Sequence, residues 1–336
     1  IKRAEYYDKE KKCTLHPLDD KLKISNKKYD LTFEEMVCSL TAYMPYKKAQ
    51  NFIYKFFKIK PSDTLLQKIS NNIGNKIFEK EKLNQSISDN HFTLFNKNDS
   101  KTVVSIDAGM TQIRNEKWKD VKMGTFYHYK DKKCFDKYRF GQVKMKSNDF
   151  GQYARRKYNQ YELIQNELLI FLCDGMPYNW EIMKEYFPYA ISILDFYHAC
   201  EHLADFCKII YIDGSKEYKM LYKCLKSVLY YNIDDAFLEL LNSIQNEYKN
   251  TKKYDSLQKE INYFKNNKDR IQYKNFRDLD YPIGSGIIEA DIKQIVNQRI
   301  KSSEKFWNVD TANNILKLKI ADINNELSDF IYEKAA

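Results

Sequence analysis

The hydrophobic pattern of the N-terminal part predicts helices, because apolar residues recur every three to four positions and share one helix face. We expect Thr32 to begin the first helix, with Glu35 completing a capping box, and Pro45 to end it. After a second helix, Ser62 or Asp63 is expected to cap a third. The last two helices suggest a helix-turn-helix that binds DNA, and a helical bundle without DNA contact explains the pattern equally well.

Beyond residue 101 the apolar residues form short continuous runs, which predict buried strands. With the helices between them, the predicted order is β-β-β-α-β-α-β. Three runs are each followed by an aspartate, namely Asp107, Asp174 and Asp195. Side chains at the carboxyl ends of strands in an open α/β sheet converge on one crevice. The predicted strands cover residues 102–106, 121–129, 138–145, 168–172 and 190–194.

These patterns divide the chain into six parts, and no internal repeat is present. The first part contains Cys13 and His16, which could form half of a zinc site or belong to an ordinary surface loop. A polar stretch is typical of a linker, and two further helices are predicted at 287–300 and 310–332. The parts are an N-terminal segment (1–30), a helical DNA-binding domain (31–82), a linker (83–101), an α/β core (102–198), a helical insertion (199–280) and a C-terminal helical part (281–336).

Composition narrows the function classes. Of the 336 residues, 43% are hydrophobic and 30% charged, and no apolar run is long enough for a membrane helix, so we expect a soluble protein. The seven scattered cysteines indicate a reducing compartment, and we expect a cytoplasmic location. The net charge of +10 favours an acidic partner such as nucleic acid, although AT-rich genomes encode Lys-rich proteins of every function.

Asp107 and Asp174 are candidates for metal ligands, because two neighbouring carboxylates repel each other unless cations lie between them. Their hard oxygen atoms select Mg²⁺ or Mn²⁺, and a pair of such ions stabilises both the attacking and the leaving oxygen in phosphodiester displacement. For either residue alone, an aspartate and a glycine after a strand are explained as well by simple turn chemistry.

Glu289 is a third candidate, since it lies near the edge of the apolar stripe of the predicted helix 287–300. An i,i+4 ion pair with Lys293 is the ordinary alternative. A capping box is disfavoured, because Ser285 lies four residues before Glu289 rather than three. The sequence Gly284-Ser-Gly286 leaves room for the helix N-terminus to meet a phosphate.

Several strings resemble the DDE transposases of bacterial insertion sequences, specifically the ISKra type, which is related to the Mutator-like transposases. Their order and spacing carry the resemblance, which extends over nearly the whole chain, from Pro17-Leu-Asp19 onward. The family often has cysteine pairs near its N-terminus, and here only Cys13 remains. The matching strings are Ser105-Ile-Asp-Ala-Gly109, Trp118-Lys-Asp-Val-Lys122, Cys173-Asp-Gly175, Leu194-Asp-Phe-Tyr-His198, Glu201-His-Leu203, Tyr281-Pro-Ile-Gly-Ser-Gly-Ile-Ile-Glu-Ala290, Arg299-Ile-Lys301 and Trp307.

The resemblance implies an α/β fold with an RNase H-like catalytic core on a mixed five-stranded sheet, a helical insertion and an N-terminal all-α, helix-turn-helix-like domain. It implies that Asp107, Asp174 and Glu289 bind two Mg²⁺ or Mn²⁺ ions, with Asp107 between both. Asp195 and His198 match the D-x-x-H signature of the Mutator-like group. His198 is then expected near the scissile phosphate as donor or proton shuttle, or else it is a core histidine satisfied by Asp195.

The expected partner is DNA, both transposon ends and target, bound by a homo-oligomer in the bacterial nucleoid. The expected reaction is phosphodiester hydrolysis followed by strand transfer. A transposase-derived DNA-binding regulator and a stand-alone RNase H-like nuclease are the alternatives. The predicted nucleic-acid-binding residues are Lys68, Asn71, Asn72, Asn75, Lys293, Arg299 and Lys301.

Overall fold

The computed structural model describes residues 6–10, 13–15, 17, 29–82, 100–161, 168–231, 236–301 and 306–332. His16 of the possible zinc site lies outside these ranges, and so does the predicted linker 83–101 except for its last two residues. The strands are β1 (Tyr6–Asp8), β2 (Cys13–Leu15), β3 (Lys101–Ile113), β4 (Lys117–Lys130), β5 (Lys133–Val143), β6 (Leu168–Cys173) and β7 (Ile191–Leu194). The α-helices are α1 (Leu31–Tyr43), α2 (Tyr46–Phe57), α3 (Asp63–Lys82), α4 (Ser147–Tyr161), α5 (Pro177–Tyr186), α6 (Phe196–Ile210), α7 (Lys216–Tyr230), α8 (Ala236–Asn246), α9 (Lys253–Asn266), α10 (Tyr273–Asp278), α11 (Gly286–Asp291), α12 (Val309–Ile323) and α13 (Leu327–Tyr332).

Five strands form one mixed sheet in the order β5-β4-β3-β6-β7. The hairpins β3-β4 and β4-β5 are antiparallel, whereas β6 pairs parallel to β3 and β7 pairs parallel to β6. This order of strands and helices is the predicted β-β-β-α-β-α-β, and the core is an RNase H-like α/β fold. The parallel strands β3, β6 and β7 therefore direct their carboxyl ends toward the same edge.

Strand β3 is longer than predicted. The apolar run predicts a strand that ends just before Asp107. Strand β3 instead continues to Ile113, because its pairing with β4 extends from Lys101↔Tyr129 to Ile113↔Lys117. The parallel pairing with β6 stops at Val104↔Phe171. Asp107 thus lies in the middle of a strand, three residues after β3 separates from β6, and not at a strand end.

The two faces of the sheet are covered differently. Alternate strand residues such as Val104 and Phe126 pack against α4 and α5, while Val103 and Ile170 face α6 and the helical insertion. The face that includes Val103 continues to Ile113 and Val121, and there it packs against α12 and the N-terminal helices. The insertion completes its own apolar interior with Leu225, Phe237, Leu257 and Phe264.

The N-terminal helices pack against the C-terminal helix α12 and share one apolar cluster with it. Gly74 of α3 permits this contact, since a Cβ there would lie 2.5 Å from the backbone oxygen of Asn314. Asp30, and not Thr32, caps α1, because its carboxylate accepts a hydrogen bond from the Phe33 amide. Ser62 caps α3 as predicted, with its Oγ accepting from the Leu65 amide.

A buried ionic network joins α3 to the core. The Glu81 carboxylate accepts from Lys157 Nζ at 2.9 Å and from Lys317 Nζ at 2.5 Å, and from the hydroxyl of Tyr153 at 3.0 Å. Lys157 also donates to the Tyr138 hydroxyl. These groups come from α3, α4, α12 and β5, so this one network connects four elements.

The helix predicted at 287–300 forms in two parts, since α11 is followed by a π-helix over Ile292–Ile300. Its last hydrogen bond runs from the Lys301 amide to the Val296 carbonyl, an i→i+5 pair. The predicted helix 310–332 is also divided, because Asn325 adopts φ 62° between α12 and α13. No helix among the described residues is both long and apolar enough to cross a membrane.

Candidate active site

Asp107 faces the crevice from the middle of β3. Its Oδ1 accepts a hydrogen bond from the Ala108 amide at 2.6 Å. Gly109, two residues later, is where the π-helix crosses the strand, since a Cβ there would lie 2.9 Å from Val296 Cγ1. The glycine after Asp107 therefore permits close packing of a helix, and it is not the turn residue that the sequence analysis expected.

Asp174 follows β6 directly, as predicted. Its Oδ1 accepts from Asn179 Nδ2 at 2.6 Å and from the Met176 amide at 3.3 Å, so the start of α5 fixes this carboxylate. Gly175 lies against the hydroxyl end of Tyr263 from the insertion. That hydroxyl is buried and has no hydrogen-bond partner among the described residues.

Glu289 projects from α11 and is exposed, rather than lying at the edge of a buried stripe. Its Oε1 accepts from Ser285 Oγ at 3.2 Å, and no ion pair with Lys293 occurs among the described residues. The buried carboxylate of this helix is Asp291, which is 3% exposed. Asp291 accepts from Thr125 Oγ1 at 2.7 Å and Arg139 Nε at 3.0 Å, which holds α11 against β4 and β5.

Asp195 connects the elements around the crevice and is fully buried. Its Oδ1 accepts from the His198 amide and caps α6, while its Oδ2 accepts from the Ser285 amide just before α11. The Asp195 amide donates to Cys173 of β6 at 2.9 Å. Asp195 therefore positions β6, α6 and α11 relative to one another.

His198 lies on the first turn of α6, half-buried, with its Nδ1 3.2 Å from Glu201 Oε2. Ligand atoms of Asp195, His198 and Glu289 all lie within 4.8 Å of one another. The Asp195 carboxylate hydrogen-bonds the backbone of His198, whereas the ring of His198 pairs with Glu201. The alternative of a core histidine satisfied by Asp195 does not describe this arrangement.

The electrostatics place the three predicted carboxylates near one another. The pKa of Asp107 is raised to about 6, mainly by burial and also by the charges of Asp174 and Glu289, while the hydrogen bond from Ala108 opposes the rise. The charge of His198 lowers it. Asp107 is thus close enough to Asp174, His198 and Glu289 for their charges to change its pKa, although these residues are far apart in sequence.

Asp174 is affected in the same direction. Burial raises its pKa, and Asp195 adds to the rise, while the hydrogen bonds from Met176 and Asn179 and the charge of His198 oppose it. Neither Asp107 nor Asp174 has a lysine or arginine among the leading influences on its pKa. Partly buried carboxylate oxygens without a fixed cationic partner are a donor set that fits a hard divalent cation.

The predicted DNA-binding residues of α3 lie mostly on one exposed stripe. Lys68, Asn72 and Asn75 are exposed, while Asn71 is half-buried. The opposite face of α3, which includes Ile69, is buried against the rest of the protein. This arrangement leaves the stripe accessible to a partner from solvent.

Of the basic residues predicted near the C-terminal helices, Lys293 and Lys301 are exposed, but Arg299 is only 1% exposed. Its Nε donates to the Thr41 carbonyl at 2.8 Å, and its guanidinium lies 5.1 Å from the centre of the Trp307 ring. Arg299 is therefore buried, unlike the two lysines, and its role in binding nucleic acid stays a prediction. Helical periodicity places it on the same face as Ile292 and Ile295, which packs inward.

Sequence reasoning missed three residues that shape the site, namely Asn179, Tyr263 and Asp291. Asp291 had a signal, because it follows Ile288 by three positions and so belongs to the apolar face. Asn179 lies five residues after Asp174, a spacing without a standard motif. Tyr263 is 89 residues further along the chain than Asp174, so only the folded insertion brings it there.

The sequence matches no known family model and no curated protein. Among solved structures, the chain is similar to a Drosophila P element transposase strand transfer complex. The sequence identity is 11% and the TM-score 0.44, with 93% of this chain and 99% of that chain covered. The RNase H-like assignment rests on the strand order and directions of the sheet itself.

Proposed function

We propose that this protein is a DNA transposase of the DDE type, which hydrolyses phosphodiester bonds at transposon ends and joins them to target DNA. The convergence of Asp107, Asp174, His198 and Glu289 at one edge of an RNase H-like sheet carries this proposal. The net charge of +10 is consistent with an anionic polymer as the partner.

Asp107, Asp174 and Glu289 would hold the divalent cations, Mg²⁺ or Mn²⁺. The cations would lower the charge on the phosphate oxygens and favour ionisation of the attacking water or 3′-hydroxyl. Asn179 and the Met176 amide keep Asp174 oriented toward the crevice, and Asp195 fixes the start of α11. These contacts hold the carboxylates in place before a substrate arrives.

His198 would act beside the carboxylates as a proton donor or shuttle. Its ring is half-buried, and its Nδ1 already has Glu201 as a partner at 3.2 Å. A histidine held by a carboxylate keeps one defined tautomer and can exchange a proton at its other ring nitrogen. Because the Asp195 carboxylate binds the His198 backbone, the ring itself stays available to the crevice.

The exposed stripe Lys68, Asn72 and Asn75 on α3, with Lys293 and Lys301, would contact DNA. Lysines bind backbone phosphates with little sequence preference, whereas asparagine side chains can recognise base edges. We expect substitution of Lys68 to weaken binding to every sequence and substitution of Asn72 to change sequence preference.

The first test is DNA cleavage and strand transfer in Mg²⁺ or Mn²⁺, with duplexes that carry the element's own ends. Asp107→Asn and Glu289→Gln should each lower the cleavage rate by at least about a thousandfold, because a metal ligand charge is lost. Both variants should fold and still bind DNA. Asp255→Asn, an exposed aspartate of α9, is the matched control and should cleave at the wild-type rate.

The outcomes separate the alternatives. Binding without cleavage by the wild type in either metal would contradict the proposal and favour a DNA-binding regulator. Hydrolysis without joining would instead indicate a stand-alone nuclease. If the two variants lose folding together with activity, the carboxylates are structural.

A further inference from the structure

A pocket lies away from the carboxylates, between the N-terminal helices and the beginning of α12. Its volume is about 440 Å³, and the described residues that line it include two arginines and no acidic residue. Phe306 and Trp307 form part of its wall. A positively charged pocket with aromatic walls is suited to an anion carried on an organic group.

Arg299 gives this pocket a buried positive charge. Only 1% of the residue is exposed, and burial lowers the pKa of its guanidinium to about 10, so it still carries its charge at neutral pH. Its Nε donates to Thr41, but its buried Nη2 donates to no described residue. A buried charged donor that lacks a partner is costly, and an anion in the pocket would satisfy it.

Two further residues support the same ligand. Tyr46 also lines this pocket, and its buried hydroxyl has no hydrogen-bond partner among the described residues. Arg114 lines the same pocket and is exposed. One buried and one exposed guanidinium together can neutralise a doubly charged phosphate.

The backbone contributes as well, because two helices begin at this pocket. The N-cap of α2 is Pro45 and that of α12 is Asn308, and both residues line the pocket. Neither makes a side-chain capping hydrogen bond. Free amide groups and the positive end of the helix dipole at each start favour a bound anion.

We propose that this pocket binds a phosphate group, either of the DNA backbone or of a free phosphate-bearing small molecule. The pocket is a separate site, since Arg114 lies seven residues beyond Asp107 and directly after the end of β3, roughly 23 Å away at the usual rise of a strand. That length corresponds to about seven nucleotide steps of B-DNA. The DNA source rests on the proposed transposase function, whereas the phosphate pocket does not.

The test begins with inorganic phosphate as the probe. The full chain is titrated in EDTA, with sodium chloride adjusted to keep the ionic strength constant, and binding is followed by calorimetry and by the melting temperature. Saturable binding and a raised melting temperature are expected. An absence of binding to the wild-type chain would overturn the proposal.

Two pocket variants and a control define the site. Arg114→Gln should weaken phosphate binding by about tenfold, the effect of one charge-assisted hydrogen bond. Thr311→Glu places a carboxylate in the pocket at the third helical position of α12, where it favours the helix. This variant should fold at least as stably as wild type and lose phosphate binding.

Arg156→Gln, an exposed arginine of α4 on the other face of the sheet, should bind phosphate as wild type does. Equal phosphate affinity in Thr311→Glu and wild type would also overturn the proposal, since the folded variant has its pocket blocked.

The source of the phosphate follows from DNA binding measured at several salt concentrations. If the DNA backbone occupies the pocket, Thr311→Glu should bind DNA more weakly, with a salt dependence reduced by about one phosphate contact. If phosphate binding is lost while this slope stays unchanged, the ligand is a free phosphate-bearing molecule. DNA cleavage is a separate measurement, so a chain that binds phosphate here but cleaves no DNA contradicts only the transposase function.

Discussion

Asp107 and Glu81 are carboxylates inside the same protein, and their surroundings shift their pKa values in opposite directions. Burial raises the pKa of Asp107 to about 6, and its neighbours Asp174 and Glu289 add to the rise. Burial opposes the ionisation of Glu81 too, but the charges of Lys157 and Lys317 lower its pKa to about 2. The network supplies its own cations, and the crevice does not.

The presence or absence of neighbouring lysines distinguishes Glu81, a structural carboxylate, from Asp107, a candidate metal ligand. Glu81 is satisfied by contacts within the chain, so adding a cation from solvent would gain nothing there. The pKa values of Asp107 and Asp174 are raised, and His198 is the one cationic side chain among the leading influences that lower them. Burial alone does not distinguish these two sites, whereas the sign of the neighbouring charges does.

The largest effect is expected from the network. Glu81→Gln removes the carboxylate that is hydrogen-bonded to the buried Lys157 and Lys317 and should lower the free energy of unfolding by about 3–5 kcal/mol. Urea denaturation measures this. Glu79→Gln is the control, because Glu79 pairs with Lys82 at the surface and should change stability by less than about 1 kcal/mol. A similar small loss in both variants would contradict the structural role of the network.

We expect Mg²⁺ to raise the free energy of unfolding by binding at the crevice, and not at the Glu81 network. At a concentration of about 100 times its dissociation constant, a ligand of the folded state adds roughly 2.7 kcal/mol to the free energy of unfolding. We expect Mg²⁺ to stabilise the wild-type chain in this way and to have little effect on Asp107→Asn. Thermal unfolding with and without the ion measures both, with Asp255→Asn as control. An equal shift in all three proteins would place the ion elsewhere.

The smallest effect concerns pH without metal. A carboxyl group whose pKa is raised on folding destabilises the folded state once it ionises, so wild type loses stability as the pH rises from about 4 through 6. In EDTA at pH 7.5, Asp107→Asn should therefore be more stable than wild type by about 1–2 kcal/mol. Near pH 4 the two should be equal. A difference that does not change with pH would show that packing, not ionisation, explains it.

The sequence predicted much of the α/β core because its buried strands are short apolar runs. Leu168–Cys173 and Ile191–Leu194 lie within one residue of the predicted strands, and the aspartates that follow them lie where expected. Strand β3 was predicted too short, since Asp107 and Gly109 look like a turn in sequence. Only the partner strand β4 and the crossing helix explain why the strand continues.

The sequence predicted the carboxylates of the candidate site, but not the residues that hold them in position. Asp107, Asp174 and Glu289 could be found from strand ends and from the resemblance. Their proximity is supported by the electrostatics of the folded chain. The burial of Arg299 was not predicted, although its helix position places it among apolar residues such as Ile292 and Ile295. Long-range neighbours such as Tyr263 leave no local signal in the sequence.

The contacts of Asp291 have a consequence for the entropy of ligand binding. This buried carboxylate is two residues after Glu289 and binds Thr125 and Arg139 on the sheet. The backbone of α11 is therefore immobilised when the chain folds, and the loss of its freedom is part of folding. If Glu289 binds an ion as proposed, only its own side-chain rotamers would remain to be ordered, so less affinity would be lost to conformational entropy.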